Sequence, residues 1–319
     1  MIIKMAKWLV LILLFKLAVV MIVSQFYMDP RRDIDAREKL CKSYKPNVVF
    51  IGTSRTLFSI NPAIFDSLNQ QKTRSYNFGM FSLSPQSAFQ VAEDLLSESP
   101  DVNTIYIELS ALNYSTVALK PQQVIPDAIF RANVMAGCSN LDWNEKTASF
   151  LEGLNTTLFQ MFSIAPQITS AKKALKPEND PIEGNPGLRE NGYQPVASAL
   201  SQTNARILDN FEATQQMMAG HPQAIPNTYY ISRINALIAT AKLRGGKVIF
   251  FYPNNLTKVE YQVLSQVAPF LSNQNLIRLP ENPLLNEFFK PENLFDAHHL
   301  NQKGAAIFTK FLQKEACSR

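Results

Sequence analysis

Five short runs constrain this chain more than anything else in it: NVVFI at 47–51, RSYNF at 74–78, TIYIEL at 104–109, KVIFFY at 247–252 and NLIRL at 275–279. They have strand length and are rich in β-branched and aromatic residues, as suits strands buried on both faces. Most are followed by a helical pattern. At 85–96, Phe89, Ala92, Leu95 and Leu96 fall on one side; at 230–243, Ile231, Ile234, Leu237, Ile238 and Ala241 do the same, with Gly245 and Gly246 to close the helix; at 304–313, Ala305, Phe308, Phe311 and Leu312 repeat the pattern. Strands alternating with helices predict an α/β fold of three layers, α/β/α, around a mostly parallel five-stranded sheet.

Between about 112 and 226 this rhythm breaks. The stretch is rich in Pro, Asn and Gln, and its PENDPIEGNPG segment reads as an exposed loop between helix-like pieces around 151–162 and 197–217. It is expected to be a helical insertion between the third and fourth strands, within one α/β domain covering 31–319. No internal repeat is visible.

Residues 1–30 are of a different kind. WLVLILLFKLAVVMIV at 8–23 is apolar except for Lys16, with Lys4 and Lys7 ahead of it and the polar MDPRRDIDAREK behind. Taken from Met5 to Tyr27 the run reaches the roughly 20 residues that a bilayer core requires, with Trp8 and Tyr27 as interfacial anchors. A charge such as Lys16 near the bilayer centre costs about 2.5 to 3.5 kcal/mol on insertion scales, reduced where a long side chain reaches toward an interface. A cleaved signal peptide is the competing reading, but Ile22, Val23, Ser24, Gln25, Phe26 and Tyr27 offer no small-x-small site. A buried amino-terminal helix would have to hide nearly every side of itself. The expectation is an uncleaved, single-pass signal anchor in the cytoplasmic membrane, its amino terminus cytoplasmic and the domain on the extracytoplasmic side.

The formal charge of +5, from 31 Lys+Arg against 26 Asp+Glu, suggests a polyanion partner only until the charges are located. Lys4, Lys7, Lys16, Arg31 and Arg32 against Asp29 give +4 in residues 1–32, so the body is nearly neutral and no nucleic acid is expected. Cys41, Cys138 and Cys317 have neither metal-ligand nor CxxC spacing, and no metal or cofactor is expected. A bridge from Cys41 to Cys317, joining the ends of the domain, and three unpaired thiols are both open readings.

In open parallel sheets functional groups gather at the carboxyl ends of the strands. Three features fall there. VVFIGTSRTLF delivers Ser54 just past the first strand, where a serine can be exposed, its N–H available to an oxyanion; a plain helix cap is the alternative. YNFGMFS ends the second strand in Asn77 and Gly79, where glycine permits a close backbone approach or simply makes a turn. FDAHHLNQKGA places Asp296 three residues before His299, ahead of a helix that Asn301 can cap, and holds two of the three histidines in the chain. A carboxylate beside an imidazole fixes its tautomer and stabilises the imidazolium formed when the ring takes a serine proton; a polar cap with exposed histidines is the alternative.

The ordered set GTS, N-x-G and D-x-x-H-L-N resembles the SGNH, or GDSL-like, hydrolase superfamily over nearly the whole chain beyond the anchor. The resemblance implies an SGNH or flavodoxin-like fold, Ser54 as nucleophile, Gly79 as an oxyanion donor, Asp296 as the residue that orients, and His299 as base, with His298 only adjacent. Two departures stand out: GTS replaces GDS, and IYIELSALNY stands where a G-x-N-D block is expected. Asn77 and Asn113 are the candidates for the missing amide donor. The anchor together with GTSR, N-x-G and DxxHLN is more similar to the envelope-modifying branch, which includes alginate O-acetylation and teichoic acid D-alanyl transfer proteins. That branch implies a serine acyltransferase or esterase acting on a cell-envelope glycan or acyl donor, with a membrane-bound O-acyltransferase as partner. A catalytically inactive accessory protein for such a partner is the alternative, favoured by the absent block.

Overall fold

The computed structural model describes residues 2–26, 29–111, 121–175, 187–199, 204–220 and 224–318. Five strands, β1 (Val48–Gly52), β2 (Ser75–Gly79), β3 (Thr104–Glu108), β4 (Lys247–Phe251) and β5 (Leu276–Ile277), form one sheet in the order β2-β1-β3-β4-β5, with every pairing parallel. The first four start within one residue of the sequence expectation. The fifth is shorter than expected because it pairs at the sheet edge only with Phe250 and Phe251 of β4.

The helices in chain order are α1 (Ile2–Phe26), α2 (Ile34–Tyr44), α3 (Ser54–Ser59), α4 (Pro62–Leu68), α5 (Pro85–Glu98), α6 (Pro121–Met135), α7 (Trp143–Leu158), α8 (Ala165–Leu175), α9 (Asn204–Ala219), α10 (Thr228–Leu243), α11 (Lys258–Leu264), α12 (Leu284–Glu287) and α13 (Gln302–Cys317). Side-chain alternation assigns them to the two faces of the sheet. Phe50 of β1 stacks on its register partner Tyr106 of β3, and both rings meet Phe65 of α4. Phe250 of β4 lies beside Ile107, one residue on, and so points the other way, to Phe89 of α5, which also meets Tyr230 of α10. Helices α3, α4 and α13 pack together on the first face, α5 and α10 on the second. The sheet is thus buried on both sides, which is why its strands read as continuous apolar runs.

Local signals explain the helix ends. Asn61, Ser84, Asn227 and Asn301 cap α4, α5, α10 and α13 through their side chains, Thr257 and Glu260 form a capping box on α11, and Gly245 in the left-handed region closes α10. The insertion carries α6 to α9. Residues 176–186, most of PENDPIEGNPG, and Tyr27 lie outside the described residues. Helix α1 is long and apolar enough to cross a membrane, a property that a signal sequence shares.

The bridge between Cys41 and Cys317 is not formed. Cys41 is buried in the core, its thiol pushed up to about 12 by burial, whereas Cys317 is exposed at the end of α13 with its Sγ 3.6 Å from Asn69 Oδ1. All three cysteines are free.

Candidate active site

Strand β1 ends at Gly52, where a Cβ would lie 2.1 Å from Thr56 Oγ1 and 2.6 Å from Glu108 Oε2, so only glycine lets the next turn fold back onto β3. Thr53 then caps α3, accepting from the Arg55 N–H at 3.3 Å, and Ser54 occupies the first helical position. Glu108, the last residue of β3, holds this turn from below. Its carboxylate accepts from the Thr53 N–H at 2.9 Å, from the Thr53 hydroxyl at 2.8 Å and from the Thr56 hydroxyl at 2.6 Å. Arg55 completes the support: its guanidinium donates to Glu108 at 3.0 Å, to both oxygens of Glu260 at 2.5 and 3.0 Å, and to the Asn255 carbonyl at 2.8 Å. Burial pushes the Glu260 carboxyl up, but Arg55 and Thr257 outweigh it and hold it below the usual range. The residue after the serine is therefore pinned by two buried carboxylates, from β3 and α11.

The other half of the site comes from the loop before α13. Asp296 folds this loop on itself, with Oδ1 accepting from the His298 N–H at 2.7 Å and the His299 N–H at 2.9 Å. Its second oxygen lies 2.8 Å from His299 Nδ1, and His299 Nε2 lies 2.8 Å from Ser54 Oγ. The loop is fixed from outside as well. Asn254 and Asn255 each donate to the His298 carbonyl, at 3.2 and 3.1 Å, and Asn210 of α9 donates to the Ala297 carbonyl at 2.8 Å. The insertion therefore supplies one of the residues that position the loop carrying Asp296 and His299. Asn210 also lies 3.1 Å from His298 Nδ1, and burial, the neighbouring His299 and Arg55 lower the pKa of His298. His298 faces Asn210, not Ser54.

Electrostatics fixes the tautomer. Burial raises the Asp296 carboxyl, but the hydrogen bond and charge of His299, with the two N–H donors, outweigh it and bring it down to about 2. Ionised at neutral pH, Asp296 only accepts, so in the neutral imidazole the proton sits on Nδ1 and Nε2 presents its lone pair to the Ser54 hydroxyl. The Phe58 and His299 rings meet edge to face with centroids 5.2 Å apart, and Phe58 packs in one apolar cluster with Leu57, Phe81, Leu188, Val196 and Phe295. The arrangement can take a proton from a hydroxyl and return it to a leaving group.

The depressed Asp296 pKa predicts a pH effect whose sign is fixed. A carboxyl with a lower pKa folded than unfolded adds stability that is complete above its unfolded value, near 4, and is lost as the pH falls through the folded value of about 2. The side chain is 18% exposed, and the shift corresponds to about 2 kcal/mol. Urea midpoints should fall between pH 5 and pH 2.5, and the fall should be smaller in Asp296→Asn. An equal fall in both proteins would mean that the Asp296 contacts do not form.

Ser54, Asp296 and His299 lie together as expected, whereas the donors of Gly79 and Asn77, expected at an oxyanion, are engaged within the protein. The Gly79 N–H donates to Asn77 Oδ1 at 2.7 Å, and Asn77 Nδ2 donates to the Thr56, Leu57 and Ile60 carbonyls at 2.7, 3.3 and 2.7 Å. The Asn77 amide thus satisfies the carbonyls at the end of α3, and its own oxygen takes up the Gly79 N–H. Gly79 is needed there for contact: a Cβ would lie 2.1 Å from the Leu57 nitrogen. Asn113 lies outside the described residues. The Ser54 N–H, at the open first turn of α3, takes no acceptor from the described residues and is the donor left for an oxyanion. Arg55, Glu108, Glu260, Asn210, Asn254 and Asn255 were not singled out from the sequence. The signal for the first two was present: a strand that must be buried on both faces ends in Glu108, and a buried carboxylate requires a cation. No three His, Cys, Asp or Glu side chains among the described residues converge as a metal site would need.

No family model matches the chain, and no curated protein and no solved structure is significantly similar to it.

Proposed function

We propose that this protein is a membrane-anchored serine acyltransferase or esterase that handles acyl groups of a cell-envelope glycan. One observation carries the reading: the 2.8 Å contacts that link Ser54 Oγ, the two nitrogens of His299 and Asp296 in series. In the proposed cycle Ser54 Oγ attacks the acyl carbonyl while His299 Nε2 takes its proton, and the Ser54 N–H stabilises the tetrahedral oxyanion. The imidazolium returns that proton to the departing alkoxide, leaving Ser54 acylated. An acceptor hydroxyl, from a sugar or from water, then gives its proton to His299 as it attacks the ester carbonyl, and His299 returns that proton to Ser54 Oγ as the intermediate collapses and frees the serine.

The membrane part of the proposal is supported by how the chain after α1 is attached. The Phe81 N–H donates to the Arg31 carbonyl at 2.9 Å, Arg32 sits 5.0 Å from the centre of the Phe81 ring, and buried Arg37 of α2 donates to the Asn77, Gly79 and Gly192 carbonyls. The linker from the anchor is thereby bound to the rim of the site, which suits an acyl donor presented at a membrane by a partner such as a membrane-bound O-acyltransferase. In this proposal α1 is a signal anchor and the domain is extracytoplasmic.

A second reading, a non-catalytic accessory protein, is favoured by the engaged Gly79 N–H and Asn77 amide. A lost oxyanion donor typically costs about 3 to 4 kcal/mol of transition-state stabilisation. The two readings separate on reaction with a fluorophosphonate. The enzyme reading expects one label per chain, on Ser54 and absent from Ser54→Ala; an unlabelled wild type, or a label that persists in Ser54→Ala, would favour the accessory reading.

A further inference from the structure

Helix α1 exposes apolar side chains along its full length, from Ile2 to Phe26, yet Lys16 in its midst is 0% exposed. Lys16 and Val20 are buried, and Leu13, Leu17, Val19 and Val23 beside them are half-buried, while most of the helix stays open. The elements packed on α1 are α8 and the 3-10 turn Phe159–Phe162 that follows α7. At 1.5 Å per residue Lys16 lies about 15 Å before the Phe26 end, half of a hydrocarbon core about 30 Å thick. If α1 spans the bilayer, whatever buries Lys16 is inside the bilayer too.

The sequence of the covering element fits that depth. Residues 153–171 contain no charged side chain, between Glu152 on one side and Lys172 and Lys173 on the other. They hold the end of α7, the 3-10 turn and most of α8, so the turn lies about 10 to 15 Å beyond the nearest charges on either limb. That reach equals the depth of Lys16 below Phe26. Within this segment Ile168 of α8 is an exposed apolar residue, and Leu151 of α7, just before it, is another. A segment this short cannot span, but a helical hairpin satisfies its own backbone and is tolerated at membrane depth when packed against a span.

We propose that the end of α7, the 3-10 turn and α8 form a re-entrant hairpin that dips into the bilayer from the Phe26 side. Its inner face sheathes Lys16 and its outer face meets lipid. The inference rests on α1 as a membrane span and not on the catalytic reading. The test uses the full chain, with Cys138 and Cys317 replaced by serine, reconstituted in phosphatidylethanolamine and phosphatidylglycerol vesicles. Nitroxides are placed singly through Ile168→Cys, Asn155→Cys, Leu11→Cys in α1, and Leu243→Cys, an aqueous control at the 89% exposed end of α10. Collisions with oxygen and with a water-soluble nickel chelate are compared. The expected result is that the labels at 168 and 155 favour oxygen as the label at 11 does, while the one at 243 favours nickel; either hairpin position suffices if the other variant misfolds. If both hairpin labels meet nickel as readily as 243 while 11 stays in lipid, the span stands and the hairpin is overturned. If 11 itself meets nickel, span and hairpin fall together, leaving the Ser54 chemistry untouched.

Discussion

Ser54→Ala and His299→Ala are each expected to slow the turnover of p-nitrophenyl acetate on the order of 10⁴-fold or more, with the double variant no slower than either single one. The 2.8 Å contact makes the two residues a unit: without the imidazole the hydroxyl has no base, and without the hydroxyl the base has nothing to activate. Asp296→Asn is expected to approach the same loss, on the order of 10⁴-fold, because an amide at 2.8 Å from Nδ1 no longer holds the proton there. His298→Gln should keep most of the rate, since that ring faces Asn210. Multiplying losses in the double variant, or a fast Ser54→Ala, would sink the assignment; the rate of fluorophosphonate labelling gives the same comparison if the acetate is a poor donor.

How much of this was legible in the sequence depended on the kind of interaction. The four long strands and the helices α5, α10 and α13 could be read because burial on both faces, or on one stripe, repeats with a fixed period. The Ser54, Asp296 and His299 set could be read because the carboxyl ends of parallel strands collect functional groups, and Asp-x-x-His closes its own turn. Gly79 and Asn77 could not be assigned from pattern alone. Which acceptor a buried N–H finds depends on where the short helix α3 ends, and its carbonyls took the Asn77 amide. Helix α2, with its buried Arg37, carries too few apolar residues to show a stripe: it is held by hydrogen bonds to the Asn77, Gly79 and Gly192 carbonyls.

The same reasoning makes Arg55 the side chain whose loss should harm the fold most. Arg55, Glu108 and Glu260 are at most 2% exposed, and the one guanidinium serves both carboxylates. A buried ion pair contributes little net stability when whole, since desolvation offsets the attraction, but removing one partner strands the other and costs about 3 to 5 kcal/mol. In Arg55→Met two carboxylates lose their cation and the Asn255 carbonyl loses its donor, so the upper end of that range is expected, with the melting temperature in detergent lower by on the order of 10 °C. Arg55→Lys should recover only part of it, because an ammonium cannot present a planar fork to both carboxylates. The substitution also reaches the chemistry. Glu108 fixes Thr53, Thr53 caps α3, and α3 sets Ser54, so fluorophosphonate labelling of Arg55→Met should be slower even well below its melting temperature. Wild-type stability in Arg55→Met would mean that this cluster does not hold the nucleophile turn; lost stability with an unchanged labelling rate would make it a support of the core alone.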